Sequence, residues 1–269
     1  MTAAGARHRP GALLAGLFLL FVVISAVTPG LFTVYDPYAT APAEKLHAPT
    51  ATHVFGTDEL GRDQFTRVLY GSSHTIGITA AAVGLALAAG LVVGLLAGMT
   101  GGWPDVVVMR AVDVLVSLPR LLFALLIVTA FGFGAVSATV AVAAGIFPGL
   151  ARVARAEVLK VRTLPYVEAA RAGGASWLRS AVRHVLPRSW APVLVLALLD
   201  AGTAILVVST LSFLGLGPPP PAAEWGSLIS QGRDYLVTAP WLTLLPGIFV
   251  GLVLLSLDRL ARSIGRGMR

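Results

Sequence analysis

Six long apolar runs interrupt this sequence, and no other feature restricts the possible folds as strongly. A helix of about 20 residues, rising 1.5 Å per residue, crosses the ~30 Å hydrocarbon core of a membrane. Backbone N–H and C=O groups inside that core must bond within the protein, and a helix meets this requirement by itself. We therefore predict an all-α integral membrane protein with six transmembrane helices. The predicted spans are Gly11–Val27, Ser73–Met99, Val106–Phe131, Ala135–Leu150, Ala191–Leu216 and Ala239–Leu257.

The composition excludes an ordinary soluble domain. Hydrophobic residues make up 56% of the chain and charged residues only 12%, whereas soluble domains contain about a quarter charged residues. There is no cysteine, so the chain has no disulfide framework and no thiolate metal site or nucleophile. The net charge is +7, but the basic residues are dispersed among the apolar runs. That distribution is typical of a membrane topology signal rather than of nucleic-acid binding.

The placement of Lys and Arg predicts the orientation. Arg7 and Arg9 precede the first run as in a signal peptide, but no clear small-x-small cleavage site follows, so we predict an uncleaved span. The two terminal segments, the loop with Arg110 and residues 152–188 together hold 15 of the 20 Lys and Arg residues. Cytoplasmic loops are enriched in these residues. Both termini should therefore be cytoplasmic, in a multi-pass membrane protein.

Residues 29–72 are mixed in charge and rich in Pro, Gly and Thr, which predicts an external loop. We accordingly divide the chain into an N-terminal part, 1–72, with the first helix and this loop, and a core domain, 73–269. The core domain would contain helices two to six and a basic cytoplasmic loop at 152–190.

The segment from Tyr166 to Pro187 is the longest charged stretch of the chain. Pro165 suits the first turn of a short helix, and Gly173-Gly174 permits the left-handed residue that ends one. Glu168-Ala169-Ala170 would then lie in mid-helix. From Ser176, which can act as an N-cap, apolar and basic residues alternate at helical spacing. This pattern predicts a second, amphipathic helix that lies in the lipid headgroup layer.

The same segment resembles a known motif. Glu168-Ala169-Ala170, three residues, Gly174, nine residues and His184-Val185-Leu186-Pro187 are similar to the EAA loop of permease subunits of bacterial ABC importers, with His in place of the usual Ile. In that family the loop is a cytoplasmic coupling helix seated in a cleft of the ATPase subunit. The resemblance implies an ATPase-coupling role for Glu168, Ala169, Ala170 and Gly174.

Other motifs extend the resemblance to the dipeptide, oligopeptide and nickel branch of these permeases. They are His53–Asp63 (HVFGTDELGRD) with Arg67 and Tyr70-Gly71, Met109-Arg110 with Asp113, Leu118-Pro119, and Leu211–Gly217 (LSFLGLG) with Trp225-Gly226. The sequence departs from the branch at Val208, where relatives often have Glu, at the unexpected Arg120, and at the C-terminal segment. The resemblance implies the fold of a type I ABC importer permease, located in a bacterial plasma (inner) membrane.

The resemblance also implies partners and a substrate class. A similar permease subunit would complete a heterodimer, two ATPase subunits would lie below it, and an extracytoplasmic binding protein would deliver substrate. Di- or oligopeptides are the expected cargo, and nickel or another small solute is the alternative. Lys45 and Lys160 follow no glycine-rich phosphate loop, so ATP and Mg²⁺ are expected on the ATPases and no cofactor on this chain. An ion-coupled secondary transporter is the rival class, and it should show internal repeats.

Three charges lie inside the predicted spans, where each costs roughly 2.5 to 3.5 kcal/mol on insertion scales. Asp113 and Arg120 are seven residues apart, so on one helix they would share a face. Arg120 and Asp200 either line the translocation pathway or make structural helix–helix bonds. For Asp113 we favour an interfacial pair with Arg110.

The external loop contains His47, His53 and Asp58, which together with His74 could suggest a metal site. The spacing lacks a tight ligand pattern, and a loop histidine is usually solvated. We predict instead that the GTDELGRD stretch is a structural motif. Gly56 and Gly61 would supply turns, and Asp58, Arg62 and Asp63 would make local hydrogen bonds.

Overall fold

The computed structural model describes residues 9–267, and within this range the chain is helical, with one isolated β-bridge between Thr57 and Asp63. The α-helices are α1 (Arg9–Val27), α2 (Gln64–Thr100), α3 (Gly102–Ser117), α4 (Arg120–Phe131), α5 (Ala135–Arg162), α6 (Pro165–Ala172), α7 (Trp177–Ser180), α8 (Leu186–Phe213), α9 (Trp225–Gly232) and α10 (Trp241–Gly267). A π-helical segment, Ala181–Val185, joins α7 to α8.

All six predicted apolar segments are helical, but they differ in length. Four helices in the described range are long and apolar enough to cross a membrane, and α3 with α4 would form a fifth span. The apolar part of α1, Gly11–Val27, is shorter than this criterion. Helix α2 begins at Gln64, so the predicted external loop ends earlier than residue 72. The first turns of α2 extend the helix beyond the purely apolar run.

The third predicted span is not the continuous helix that its hydrophobicity suggested. Helices α3 and α4 meet at an angle of 96°. Leu118 is extended, with φ −78° and ψ 132°, because the ring of Pro119 disfavours helical geometry in the preceding residue. A shared face for Asp113 and Arg120 is therefore wrong, since the two residues lie on different helices.

The predicted amphipathic helix is also not a separate element. Ser176 caps its start as expected, and its side chain accepts a hydrogen bond from the backbone N–H of Arg179. However, α7, the π-helical segment and α8 form one continuous helix, Trp177–Phe213. Ala181 is buried while Leu178 is exposed, so the apolar residues do not share one buried face. An extra residue in the π turn rotates the following side chains relative to a regular helix.

The chain divides into two compact units. Unit 1 contains the described residues up to Ala80, Val128–Thr139, and the described residues from Gly202 onward. Unit 2 contains Ala81–Ile127 and Val140–Ala201.

In unit 1, α1 packs against α10. Phe18 meets Phe249 edge to face, with ring centroids 5.7 Å apart, and Phe249 also contacts the buried Trp225 of α9. Val22 is buried in the same apolar cluster. The first apolar run thus forms an integral part of this core.

The GTDELGRD stretch of unit 1 is a buried polar network, which confirms its predicted structural character. Asp58 accepts hydrogen bonds from Arg62 Nε, at 2.7 Å, and from Arg67 Nη1. Arg67 also donates to Gln231 of α9 at 3.2 Å. Gly61 has φ +76°, and a Cβ there would lie 1.9 Å from the carbonyl oxygen of Ala41. Only glycine fits this turn without displacing backbone.

His53 is not solvated as the sequence suggested. Its ring is buried, Nδ1 lies 2.9 Å from Asp63 Oδ1, and Nε2 lies 3.6 Å from Glu44 Oε2. Asp63 also caps α2 by accepting from the backbone N–H of Thr66 at 2.7 Å. This histidine therefore ties the loop to the start of α2.

Glu224, directly before α9, links that helix to α2 within unit 1. Its carboxylate caps α9 by accepting from the backbone N–H of Gly226 at 2.8 Å, and Thr75 Oγ1 donates to it at 2.8 Å. The next residue, Trp225, donates from its ring nitrogen to the carbonyl oxygen of Val68 at 3.0 Å. Complete burial raises the pKa of the Glu224 carboxyl, although these hydrogen bonds partly oppose the shift.

In unit 2, three glycines spaced four residues apart bring α2 against α5. A Cβ at Gly94 would lie 2.4 Å from the Cβ of Ala154, and one at Gly98 would lie 2.6 Å from Val158 Cγ1. One turn earlier, a Cβ at Gly90 would lie 2.8 Å from the Cβ of Leu150. Small residues at this spacing let membrane helices approach closely. The sequence contains this signal, and our reading of the sequence did not use it.

Candidate functional site

Helix α6 carries the predicted EAA residues and has the predicted bounds. It begins at Pro165 and its cap is Gly173. Gly174 has φ +86°, the backbone N–H of Gly174 donates to the carbonyl oxygen of Arg171, and that of Ala175 donates to that of Ala170. This pair of bonds is a Schellman motif, which satisfies the last carbonyls of a helix. The predicted left-handed stop at Gly174 is confirmed.

The surface of α6 separates into an anchored side and an open side. Val167 is fully buried, whereas Glu168, Ala169 and Gly174 are exposed and Ala170 is half-buried. A Cβ added at Gly174 would have no heavy atom within 4 Å. The structure therefore places Glu168, Ala169 and Ala170 on a short helix and Gly174 in the turn directly after it, and three of these four predicted coupling residues are exposed.

An apolar cluster in unit 2, the anchor cluster, holds the buried side of α6. It joins the end of α2, the end of α5, α6 and the π-helical segment. Its buried members are Met99, Val158, Val161, Val167, Ala181 and Val185. Tyr166 OH adds a hydrogen bond of 3.2 Å to the carbonyl oxygen of His184. Such a helix can transmit force, because moving it requires the helices behind it to move or its buried contacts to break.

Arg120 and Asp200 form an ion pair. Arg120 Nη1, at the start of α4, donates to Asp200 Oδ1 on α8 at 3.0 Å. The Asp200 side chain is largely buried, with 11% exposed, whereas 45% of the Arg120 side chain is exposed. The pair is thus a helix–helix contact within unit 2 that leaves much of a guanidinium uncovered.

Asp113 does not pair with Arg110, so that expectation is wrong. Its Oδ1 accepts from Arg152 Nη2 on α5 at 2.7 Å, and both side chains are about half exposed. The partner of Asp113 depends on which neighbouring helix its side chain faces. Helical spacing within α3 could not identify a partner on α5.

A second α3–α5 ion pair involves two residues that sequence reasoning missed. Asp105, in the first turn of α3, accepts two hydrogen bonds from Arg155 of α5, at 2.5 Å from Nε and 2.6 Å from Nη2. Only 7% of the Asp105 side chain is exposed. An acidic residue just after the Gly101-Gly102 turn was the available signal, since a carboxylate favours a helix N-terminus.

An all-helical membrane protein that presents an anchored, solvent-facing EAA helix has the architecture of an ABC importer permease. The structure is similar to a chain in inward-facing structures of the MetNI methionine ABC transporter, with a TM-score of 0.56 and 23% identity. That match covers 74% of this chain and 96% of the other, and it shows a shared type I importer fold.

Sequence comparison identifies the family. Residues 90–269 match the binding-protein-dependent transport system inner membrane component family. The dipeptide transport system permease protein DppC of Alkalihalophilus pseudofirmus is 38% identical, covering 95% of this chain and 83% of the relative. The di/tripeptide transport system permease protein DppC of Pseudomonas aeruginosa is 36% identical, with 97% and 87% covered. This chain belongs to the family of binding-protein-dependent transport system inner membrane components.

Proposed function

We propose that this chain is one of two permease subunits of an ATP-driven importer of di- and oligopeptides. The observation that carries the proposal is the EAA helix, which is exposed on its motif side and fixed by Val167 on the other. Similarity to dipeptide and di/tripeptide permeases supports the peptide substrate. Nickel or another small solute is the alternative cargo.

The importer would contain a second, similar permease, two ATPase subunits and an extracytoplasmic binding protein. This chain would be non-catalytic, and ATP and Mg²⁺ would bind the ATPases. ATP binding would move α6 together with its anchor cluster, and the permease pair would open outward to accept peptide. Hydrolysis would return it to the inward-open state.

In this mechanism Glu168, Ala169, Ala170 and Gly174 form the surface that docks in the ATPase cleft. Glu168 can accept a charge-assisted hydrogen bond from a donor on the ATPase. Space around Gly174 is open within this chain, so a larger side chain there would meet the partner rather than the permease itself. Ala169 and Ala170 would allow a close approach of the two subunits.

The test is to purify the complex carrying Glu168→Lys or Gly174→Asp and to measure subunit stoichiometry, binding-protein-stimulated ATP hydrolysis and peptide uptake. We expect the permease to insert normally while ATPase subunits are lost or hydrolysis proceeds without uptake. Asp234→Lys, another exposed charge reversal located between α9 and α10, is the matched control and should leave all three values unchanged. Wild-type behaviour of both EAA variants would refute the docking assignment.

We also propose that both termini are cytoplasmic. Ala172, at the end of α6, and Ala48, in the loop before α2, are both exposed, and the chain has no cysteine. A cysteine at Ala172 should react in intact cells only with membrane-permeant reagents, and one at Ala48 also with impermeant reagents. The opposite pattern would reverse the proposed orientation.

Arg120 and Asp200 are proposed to line the translocation pathway. A guanidinium with 45% of its side chain exposed is costly against lipid and acceptable against water. Arg120→Ala should leave complex assembly intact and change the uptake rate or the peptide preference. Failure of the complex to assemble would instead indicate a structural helix–helix bond.

A further inference from the structure

The Asp105–Arg155 pair is the most enclosed ion pair described in unit 2. Its guanidinium donates two hydrogen bonds, from Nε at 2.5 Å and from Nη2 at 2.6 Å, one to each carboxylate oxygen. This fork geometry restrains both the distance and the relative rotation of α3 and α5, which a single bond does not. Asp105 also lies at the N-terminus of α3, where the helix dipole favours a negative charge.

Helix α2 packs against the same turn of α5. A Cβ at Gly94 would lie 2.7 Å from the backbone nitrogen of Arg155. One turn further along α2, the carbonyl oxygen of Gly98 accepts a hydrogen bond of 2.6 Å from Nη1 of Arg162 on α5. The second halves of α2 and α5 are therefore in close backbone contact, and the start of α3 is joined to the same part of α5 by the Asp105–Arg155 side chains.

The anchor cluster continues directly from this joint. Val158 and Val161 follow Arg155 on α5 by one and two turns, and both contribute to the buried cluster that contains Val167 of α6. Helix α6 therefore packs against the part of α5 that is ion-paired with Asp105. A displacement of α6 acts on Arg155 through close-packed side chains, which deform little.

The far end of α3 approaches the candidate pathway pair. Helix α3 has 16 residues, so it extends about 24 Å from its start. It ends at Ser117, directly before the break at Leu118-Pro119, and Arg120 follows with its ion pair to Asp200. Helix α3 therefore connects the Asp105 joint at one end to the Arg120 region at the other.

We propose that Asp105 and Arg155 are positioning residues that fasten α3 to the body carrying α6, so that movement of α6 reaches Arg120 and Asp200 through α3. This inference rests on the proposed function of α6. Arg155 makes no contact with substrate in this role. It sets how much of the displacement of α6 is delivered to the start of α4.

A matched control exists on the same two helices. Asp113 and Arg152 also join α3 to α5, by a single hydrogen bond of 2.7 Å between half-exposed side chains. Exposed ion pairs of this kind contribute little, because solvent screens the charges and the long side chains remain mobile. Loss of this pair should leave transmission intact.

The experiment uses the complete importer reconstituted in liposomes with its binding protein and a radiolabelled dipeptide. The quantity measured is the number of peptides taken up per ATP hydrolysed. We expect Asp105→Asn to lower this ratio by about three- to tenfold, the size of effect typical of residues that couple two distant sites. Asp113→Asn should change it by less than about twofold, as for exposed pairs.

Arg155→Lys keeps the positive charge but cannot form the fork, so it should also lower the ratio. This variant replaces Asp105→Asn in the measurement if the latter fails to assemble. A complex with reduced thermal stability and an unchanged ratio would show that the pair is only structural and would overturn the proposal. An unchanged ratio in a stable complex would overturn it as well.

Glu168→Lys separates this inference from the proposed function. If Glu168→Lys uncouples hydrolysis from uptake and the Asp105 and Arg155 variants do not, only the positioning role fails. If all of these variants behave like wild type, the coupling role of α6 fails with it.

Discussion

The GTDELGRD stretch and the EAA segment differ in their exposure to solvent. The GTDELGRD stretch folds inward, and three of its four charged residues, Asp58, Arg62 and Asp63, are buried and hydrogen bonded to one another or to neighbours. The EAA segment faces outward, and Glu168 and Gly174 are exposed. The first motif is thus part of the buried scaffold, whereas the second presents an exposed surface.

The difference shows how a signature should be interpreted. A buried charged side chain needs an oppositely charged or hydrogen-bonding partner within the chain, because burying an unpaired charge costs much folding free energy. An exposed charge such as Glu168 is solvated by water and needs no partner within the chain, and Gly174 is required by the left-handed turn that ends α6 rather than by a close contact. Glycine makes the contrast clearest: Gly61 has both a positive φ and a close backbone contact, and Gly174 has only the positive φ.

The largest effect is expected from Asp58→Ala. This change leaves Arg62 and Arg67 without their shared carboxylate in a buried site, and breaking a buried pair costs about 3 to 5 kcal/mol. Thermal unfolding of the detergent-purified protein should show a strongly destabilised chain. Glu59→Gln is the control, because Glu59 is partly exposed and bonds Arg62 only at 3.2 Å. Equal stability of Asp58→Ala and wild type would contradict the scaffold assignment.

A pair of glycine variants tests the comparison directly. Gly61→Ala should lose roughly 2 to 4 kcal/mol of unfolding free energy, since left-handed strain and overpacking against Ala41 both contribute. Gly174→Ala should lose only about 1 to 2 kcal/mol, because strain acts alone. Denaturant or thermal unfolding of the two variants gives the ranking. If Gly174→Ala proved the more destabilised, the EAA segment would have to be packed within the chain.

The smallest effect concerns the pH dependence of stability through Glu224, which lies outside the candidate spans. Burial raises its pKa above the ordinary value of 4.5, so the folded chain binds this proton more readily than the unfolded chain. Its contribution is therefore greatest below pH 4.5 and is lost as the pH rises through the folded-state pKa. Glu224→Gln should remove this decline.

Unfolding curves between pH 4 and pH 8, compared for wild type and Glu224→Gln, measure that change in slope. Thr75→Val removes a hydrogen bond that lowers this pKa, so it should extend the decline to higher pH. A parallel pH profile for wild type and Glu224→Gln would show that the carboxyl has the same proton affinity in both states.

Much of the fold was readable from local pattern. Long apolar runs predicted the spanning helices, and Pro165 with Gly174 predicted the bounds of α6. These features act within one or two helical turns, so they need no knowledge of the rest of the chain. Pro119 was an equally local signal for a helix end. The break that it produces was not predicted, because the sequence is hydrophobic on both sides of it.

The ion pairs were not predictable in the same way. Arg120 could have bonded Asp113 or Asp200, and Asp113 could have bonded Arg110 or Arg152. Each choice depends on which helices are neighbours and on how each is rotated, and helical spacing within one segment contains neither quantity. Asp105 was overlooked for the same reason, since its importance comes from Arg155, 50 residues away.

The sequence by itself determined that the chain is a helical membrane protein and where its short motif helix begins and ends, because hydrophobicity, proline and glycine act locally on the backbone. Only the tertiary structure decided which side of that helix is anchored, which charges are paired and which glycines are contacts. Those properties arise from surfaces that meet across long stretches of chain, and burial and hydrogen bonding select among partners that the sequence leaves equivalent.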